Sequence, residues 1–174
     1  TALTVGKKID YVVVKSYNQY TFEPTNIIAA KELISSLFKK KFLKVDSEEE
    51  LKSYKEGDKK IPYFISKAVK GKDLAESRYE QLMKFAQPYY TPENAFRVIV
   101  GDFVTTQDGT GIVHTAPTFG ADDAMVCKQA QPEVPGMLVK DENDNLVPLV
   151  DLKGRFRPEV GHLSGKYVKN EYYE

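Results

Sequence analysis

The sequence has little that would commit it to a cross-linked, metal-built or membrane-borne design. Cys127 is its only cysteine, so no disulfide forms within the chain and no cysteine cluster is available for zinc. One thiol in 174 residues suits a reducing, cytoplasmic setting. The two histidines, His114 and His162, do not fall into any standard ligand spacing, and the expectation is no metal. No stretch approaches the roughly 18 consecutive apolar residues of a membrane helix, so no membrane partner is expected. Lys7, Lys8 and Asp10 interrupt the N-terminal stretch before it becomes a signal peptide. Neither sign of charge is in excess: 25 Lys and Arg balance 25 Asp and Glu. A free-standing nucleic-acid binder carries a basic excess. Neutrality leaves open a module that touches only the end of a nucleic acid while other parts of a larger protein hold the rest. The first residue is Thr1, not methionine, which fits a piece excised from something longer.

Motifs of familiar chemistry are missing too. No serine lies in a G-x-S-x-G elbow, and Cys127 sits within an expected helix, where a thiol is usually core. The glycines at 109–111 lack the lysine and spacing of a phosphate-binding loop, and they precede a strand instead of a helix. These absences leave attack by a water aligned by polar groups as the simplest hydrolytic chemistry.

What is present is an ordinary globular balance, 41% hydrophobic and 29% charged, in a length that suits one domain with a real core. Residues 9–15 (IDYVVVK) read as a strand. The apolar spacing of Ile27, Ile28, Ala30, Leu33, Ile34, Leu37 and Phe38 predicts an amphipathic helix over 27–39. Lys39, Lys40 and Lys41 then read either as a solvated helix end or as a patch facing RNA; Glu48, Glu49 and Glu50 close by favour the first. Residues 45–60 read as an exposed loop or short helix, 61–69 as a strand, and 71–79 as ambiguous with room for a helical turn. Further strands are expected over 95–100, 103–106 and 112–116, with a hairpin turn at 107–109 and a stop at Pro117. A helix is expected over 122–130, then short strands near 137–140 and 146–149 around a polar turn. Many short strands and a few helices without βαβ alternation indicate an α+β fold around an antiparallel sheet or barrel.

The densest stretch is GTGIVHTAPTFGADD, residues 109–123. Gly109, Thr110 and Gly111 turn the chain into a strand, and Gly120 releases it into a helix whose first turn holds Asp122 and Asp123. Carboxylates there meet free N–H groups and the positive end of the helix dipole. That accounts for one acid as a cap and leaves the other to point into a cleft. His114 lies within the strand, where it serves either packing or a substrate hydroxyl. His162, between Gly161 and Gly165, reads as structural or surface. A metal-dependent hydrolase using His114, Asp122 and Asp123 is the reading left if the residues act together without the context below.

This stretch resembles the signature of the editing domain of isoleucyl-tRNA synthetases, the insertion carried by the class I synthetases for isoleucine, valine and leucine. The resemblance extends to residues 1–5 (TALTV), to Gly71-Lys72-Asp73-Leu74 with Tyr79, to 96–111, and to Gly154-Arg155-Phe156, nearly the whole chain. The histidine after Gly-Thr-Gly-Ile-Val points to the isoleucine branch over the valine and leucine enzymes. The resemblance implies one editing domain over 1–174, with a β-barrel-like core of mostly antiparallel strands and peripheral helices. It implies hydrolysis of the ester of valine on the 3′ end of tRNA(Ile), after transfer and also at the adenylate. The rest of the synthetase acts in cis. The editing domain needs no cofactor, while the parent enzyme uses ATP. The physical need is clear: one methylene in a hydrophobic pocket is worth only about 1–3 kcal/mol, the isoleucine–valine pair being the standard illustration, so a second sieve must remove what the first admits.

Residue by residue, the resemblance implies that Asp123 holds the α-ammonium of the misattached amino acid, a charge-assisted contact. Asp122 becomes the capping partner. His114 lines the side-chain or ribose region. Gly109, Thr110 and Gly111 bring backbone close to substrate. The family's threonine-rich strand is expected immediately before Thr1; without it the fragment binds the acylated 3′ end and hydrolyses nothing, which is the competing expectation.

Overall fold

The computed structural model describes residues 1–84 and 86–169. Its elements are β1 (Ala2–Val5), β2 (Asp10–Tyr17), β3 (Pro24–Ala30), α1 (Ile34–Leu37), β4 (Phe42–Lys44), α2 (Glu48–Lys52), β5 (Ile61–Lys70) and α3 (Gly71–Leu74). They continue with β6 (Arg97–Val100), β7 (Ile112–Thr115), α4 (Ala121–Gln129), β8 (Leu138–Lys140) and β9 (Leu146–Pro148). The fold is α+β, as the strand-rich sequence indicates. The sheets have the orders β6-β1-β7, β3-β2-β5-β4 and β8-β9. They stay open, so the expected barrel does not close among the described residues, and the helices are few and short. No helix among those residues is long and apolar enough to cross a membrane.

The chain groups into two compact units, and the boundary falls within β1, β6 and β7. One unit comprises Thr4–Ala75 and Ile99–Val113. Its sheet is built on β2, whose Val12, Val14 and Ser16 are buried at every second position, as a strand requires. Antiparallel β3 and β5 flank it, and β4 joins β5 in parallel. Val12, Val14, Ala29, Ile34, Phe38 and Tyr63 form the core, each fully buried aliphatic worth about 2 kcal/mol.

The helix expected over 27–39 is replaced by β3, a 3₁₀ turn at Lys31–Leu33, and the single-turn α1. Ile27 and Ile28 pair with Val14 and Val13. Ile27 packs on the core while Ile28 is 41% exposed, a two-residue alternation that a helix cannot produce. The unsatisfied edge of β2 and the β-branched isoleucines outweigh the helical spacing. The strand expected over 103–106 is also absent. Side chains hold that segment instead of a ladder: the ring of Phe103 folds back over Gly101, and the Thr106 hydroxyl donates to Glu32 at 2.7 Å.

The glycines at 109–111 belong to this unit. Gly111 has φ +72°, and a Cβ there would lie 2.5 Å from the Ala30 Cβ. Its carbonyl accepts a 2.6 Å hydrogen bond from the buried Tyr11 hydroxyl, and Ala30 N–H donates to the Thr110 carbonyl at 2.8 Å. The turn is thereby fixed against β2 and β3.

The other unit comprises Thr1–Leu3, Glu76–Val98 and His114–Glu174. Arg97, 0% exposed, organises it. Its guanidinium donates to Glu76 at 2.6 Å, to the Asn94 carbonyl at 3.0 Å, and to the Pro132 carbonyl. Burial is tolerable because the charge is paired and its donors are occupied. β8 and β9 pair antiparallel around the expected polar turn, where one Asp141 carboxylate oxygen accepts the N–H groups of Asn143 and Asn145. His162 is exposed within the 3₁₀ turns of Pro158–Leu163.

Candidate functional site

The second-described unit contains a cavity of about 450 Å³, within the range of small-molecule sites. Its wall is assembled from segments far apart in sequence: Thr1 and Leu3, the stretch 79–83, Phe96, the stretch 114–119 without Thr115, and Met137 with Leu149. Most of these side chains are apolar. The polar groups among them are few, and His114 is the one imidazole.

Thr1 ties its own segment to Phe96, to β7 and to the backbone before Met137. Thr1 nitrogen donates to the Thr115 carbonyl at 2.9 Å, its carbonyl accepts Phe96 N–H at 2.8 Å, and its hydroxyl donates to the Pro135 carbonyl at 3.0 Å. Phe96 adopts φ +56°, a left-handed conformation costly for a non-glycine residue. Its carbonyl is held by Tyr79 N–H at 3.0 Å, and the two rings meet edge to face with centroids 6.2 Å apart. Burial pushes the Tyr79 phenol up to about 12, so it stays protonated and available as a donor.

His114 stands on β7 and faces the cavity. Partial burial lowers its pKa, and the Asp123 carboxylate opposes the shift. The imidazole is therefore neutral near pH 7 and offers one donor and one acceptor.

Past Thr115 the chain turns through Pro117 and enters α4 at Gly120. The expected side-chain cap by Asp122 does not form: Gly120 is the cap residue and no side chain bonds the first turn. Asp122 is exposed. Asp123, half-buried, reaches back instead, and its Oδ2 accepts the N–H of Ala116 at 2.9 Å. Ala116 is part of the cavity wall, so the carboxylate is tied to that wall without itself lining the cavity. The main chain at the strand exit, with its unpaired N–H, is the better partner for this acid than the helix end.

Of the five residues expected to meet substrate, only His114 lines this cavity. Asp123 is bonded to a wall residue. Gly109, Thr110 and Gly111 are held on Ala30 and Tyr11 in the other unit. Tyr79, Phe96, Met137 and Leu149 also line the cavity and are not among the residues the sequence singled out for it. Tyr79 left one signal, a lone aromatic in the polar run ESRYEQ; the others fall in or beside expected strands. Among the described residues, no group of three or more His, Cys, Asp or Glu is gathered as for a metal. Cys127 is fully buried, and burial pushes its thiol up to about 11, which makes it a poor nucleophile at neutral pH. The arrangement suits binding of a small apolar group.

No protein-family model matches the chain. It is 52% identical over 172 residues to the isoleucine–tRNA ligase of Cytophaga hutchinsonii, covering 99% of this chain and 15% of that protein. It is 49% identical over 188 residues to that of Bacteroides fragilis, covering 99% and 16%. It is 39% identical over 169 residues to that of Clostridium tetani, covering 97% and 12%. The chain thus spans well under a fifth of the length of these relatives. Matched along nearly all of its own length, the chain belongs to the isoleucine–tRNA ligase family, as a segment of such a protein.

Proposed function

We propose that residues 1–174 are the editing domain of an isoleucine–tRNA ligase. The domain hydrolyses the ester of valine on the 3′ end of tRNA(Ile), and the corresponding valyl-adenylate. The carrying observation is the apolar cavity of about 450 Å³ whose wall holds His114 and Ala116, with Asp123 hydrogen-bonded to Ala116. In this reading the valine side chain enters the apolar pocket. The α-ammonium lies against the Asp123 carboxylate, whose Oδ2 is already fixed by Ala116 N–H. A water attacks the ester carbonyl, the bond to the ribose oxygen of the terminal nucleotide breaks, and that oxygen leaves as a hydroxyl on receiving a proton. Asp123 orients the substrate and is not required as a base. Neutral His114 shapes the wall and can hydrogen-bond the ribose. The domain works in cis with the rest of a cytoplasmic synthetase. No cofactor takes part in this step; ATP serves the parent's activation reaction.

A second reading, a module that binds the acylated 3′ end without hydrolysing it, draws on the glycines. Gly109, Thr110 and Gly111 do not line the cavity, so part of the expected contact set is elsewhere. Deacylation of valyl-tRNA(Ile), with isoleucyl-tRNA(Ile) as control, separates the two. It should be run on this chain and on one extended upstream. Selective loss of the valyl ester with either supports the hydrolytic domain. Binding without turnover by both supports the second reading.

A further inference from the structure

The run Lys39–Lys41, which the cavity does not use, forms a turn beside a second hollow. Phe42 N–H donates to the Lys39 carbonyl at 3.1 Å, closing the lysines into a tight turn between Phe38 and Phe42. Those two rings meet edge to face at 5.0 Å, and both line a groove of about 200 Å³ with Tyr17, Asn18, Tyr20 and Ile27. The groove floor is rigid, because Phe38 belongs to the core and stacks on Tyr63 at 4.5 Å. Its rim is the loop after β2. There the Asn18 side chain accepts the N–H groups of Tyr20 and Thr21, and Tyr20 stands 76% exposed. Lys39, Lys40, Lys41 and Lys44 are all exposed, and none forms an ion pair among the described residues. The nearest acid run in sequence is partly neutralised, since Glu48 pairs with Lys15 at 2.6 Å.

We propose that this face binds RNA, with phosphates on the Lys39–Lys41 turn and one base in the groove against Tyr20. Unpaired ammonium groups complement a phosphate backbone, and an exposed aromatic on the rim of a hollow the size of one base is the element of a stacking platform. An apolar protein segment would find the groove but leave the lysines unmatched. The identity of the RNA as tRNA(Ile) rests on the function proposed above; the lysine and groove geometry does not.

The test is anisotropy of labelled, unacylated tRNA(Ile) titrated with this chain across about 50–200 mM salt. The variant Lys39→Gln/Lys40→Gln/Lys41→Gln should bind about tenfold more weakly, with a salt slope smaller by about 2–3. Tyr20→Ala should also lose about tenfold, with the slope unchanged. Lys40 has φ +40° and its carbonyl is held by Lys60, so Lys39→Gln/Lys41→Gln decides the matter if the triple variant folds poorly. Wild-type affinity and slope in these variants, or no binding by the unmodified chain at the lowest salt, overturns the inference. A chain that binds through the lysines, when neither it nor its upstream-extended form deacylates, refutes the proposed function alone. Full deacylation with RNA affinity indifferent to the lysines refutes this inference alone.

Discussion

The carboxylate of Asp123 accepts the backbone N–H of Ala116 at 2.9 Å, which locks the first turn of α4 to the exit of β7. The intervening turn is closed a second time by Phe119 N–H on the Ala116 carbonyl at 3.0 Å. One acid thus fixes the backbone of the cavity wall.

Removing that acceptor should destabilise the fold. Asp123→Ala is expected to cost about 1.5–3 kcal/mol, the worth of a hydrogen bond to a charged group. Asp123→Asn keeps an oxygen at the same reach and should recover most of it. Urea unfolding of both variants checks this; equal midpoints for the two would place the stabilisation elsewhere.

Arg97 and its partner should behave unequally. Arg97→Met leaves the carbonyls of Asn94 and Pro132 without their donor in a buried site and should cost about 3 kcal/mol. Glu76→Gln should cost under about 1 kcal/mol, because the Glu76 side chain is 58% exposed and water replaces the lost charge. Thermal unfolding resolves the contrast, and similar losses would contradict it.

Cys127 should be silent toward thiol reagents in the native state. Its thiol is protonated up to about pH 11 and fully buried, so labelling at pH 8 should wait on unfolding and accelerate with urea. Rapid labelling without denaturant would show the helix α4 to be open.

His114 sets a pH dependence of definite sign. Its folded pKa lies below the unfolded value, so the unfolded chain binds the proton first as pH falls. Its share of stability is complete above the unfolded pKa of about 6.5 and declines as pH drops through that value. The decline levels off below the folded pKa. In His114→Gln the unfolding midpoint should change less between pH 7 and 5 than in the unmodified chain. A steeper dependence in the variant would reverse the assignment.

How much of this was legible in the sequence depended on the range of the interactions. Strands β2, β5 and β7 and the polar turn after β8 follow from local chemistry. Ile27 and Ile28 did not, because their spacing fits a helix and only the pairing with Val14 and Val13 reveals the strand. Asp123 was singled out, but its contact with Ala116 instead of the helix end depends on the turn between them. His114 was identified as a site residue and lies on the cavity. The opposite wall could not be read, since Tyr79, Phe96, Met137 and Leu149 become neighbours only through long-range packing.

The central claim is that Asp123 holds the valyl ester beside the apolar cavity for hydrolysis. Its most direct test is deacylation of valyl-tRNA(Ile) by the full-length ligase carrying this segment, unmodified and as Asp123→Ala, with isoleucine charging as the control. The account predicts a fall in valyl deacylation of about a hundredfold or more, with charging unchanged. Deacylation at the unmodified rate would contradict it.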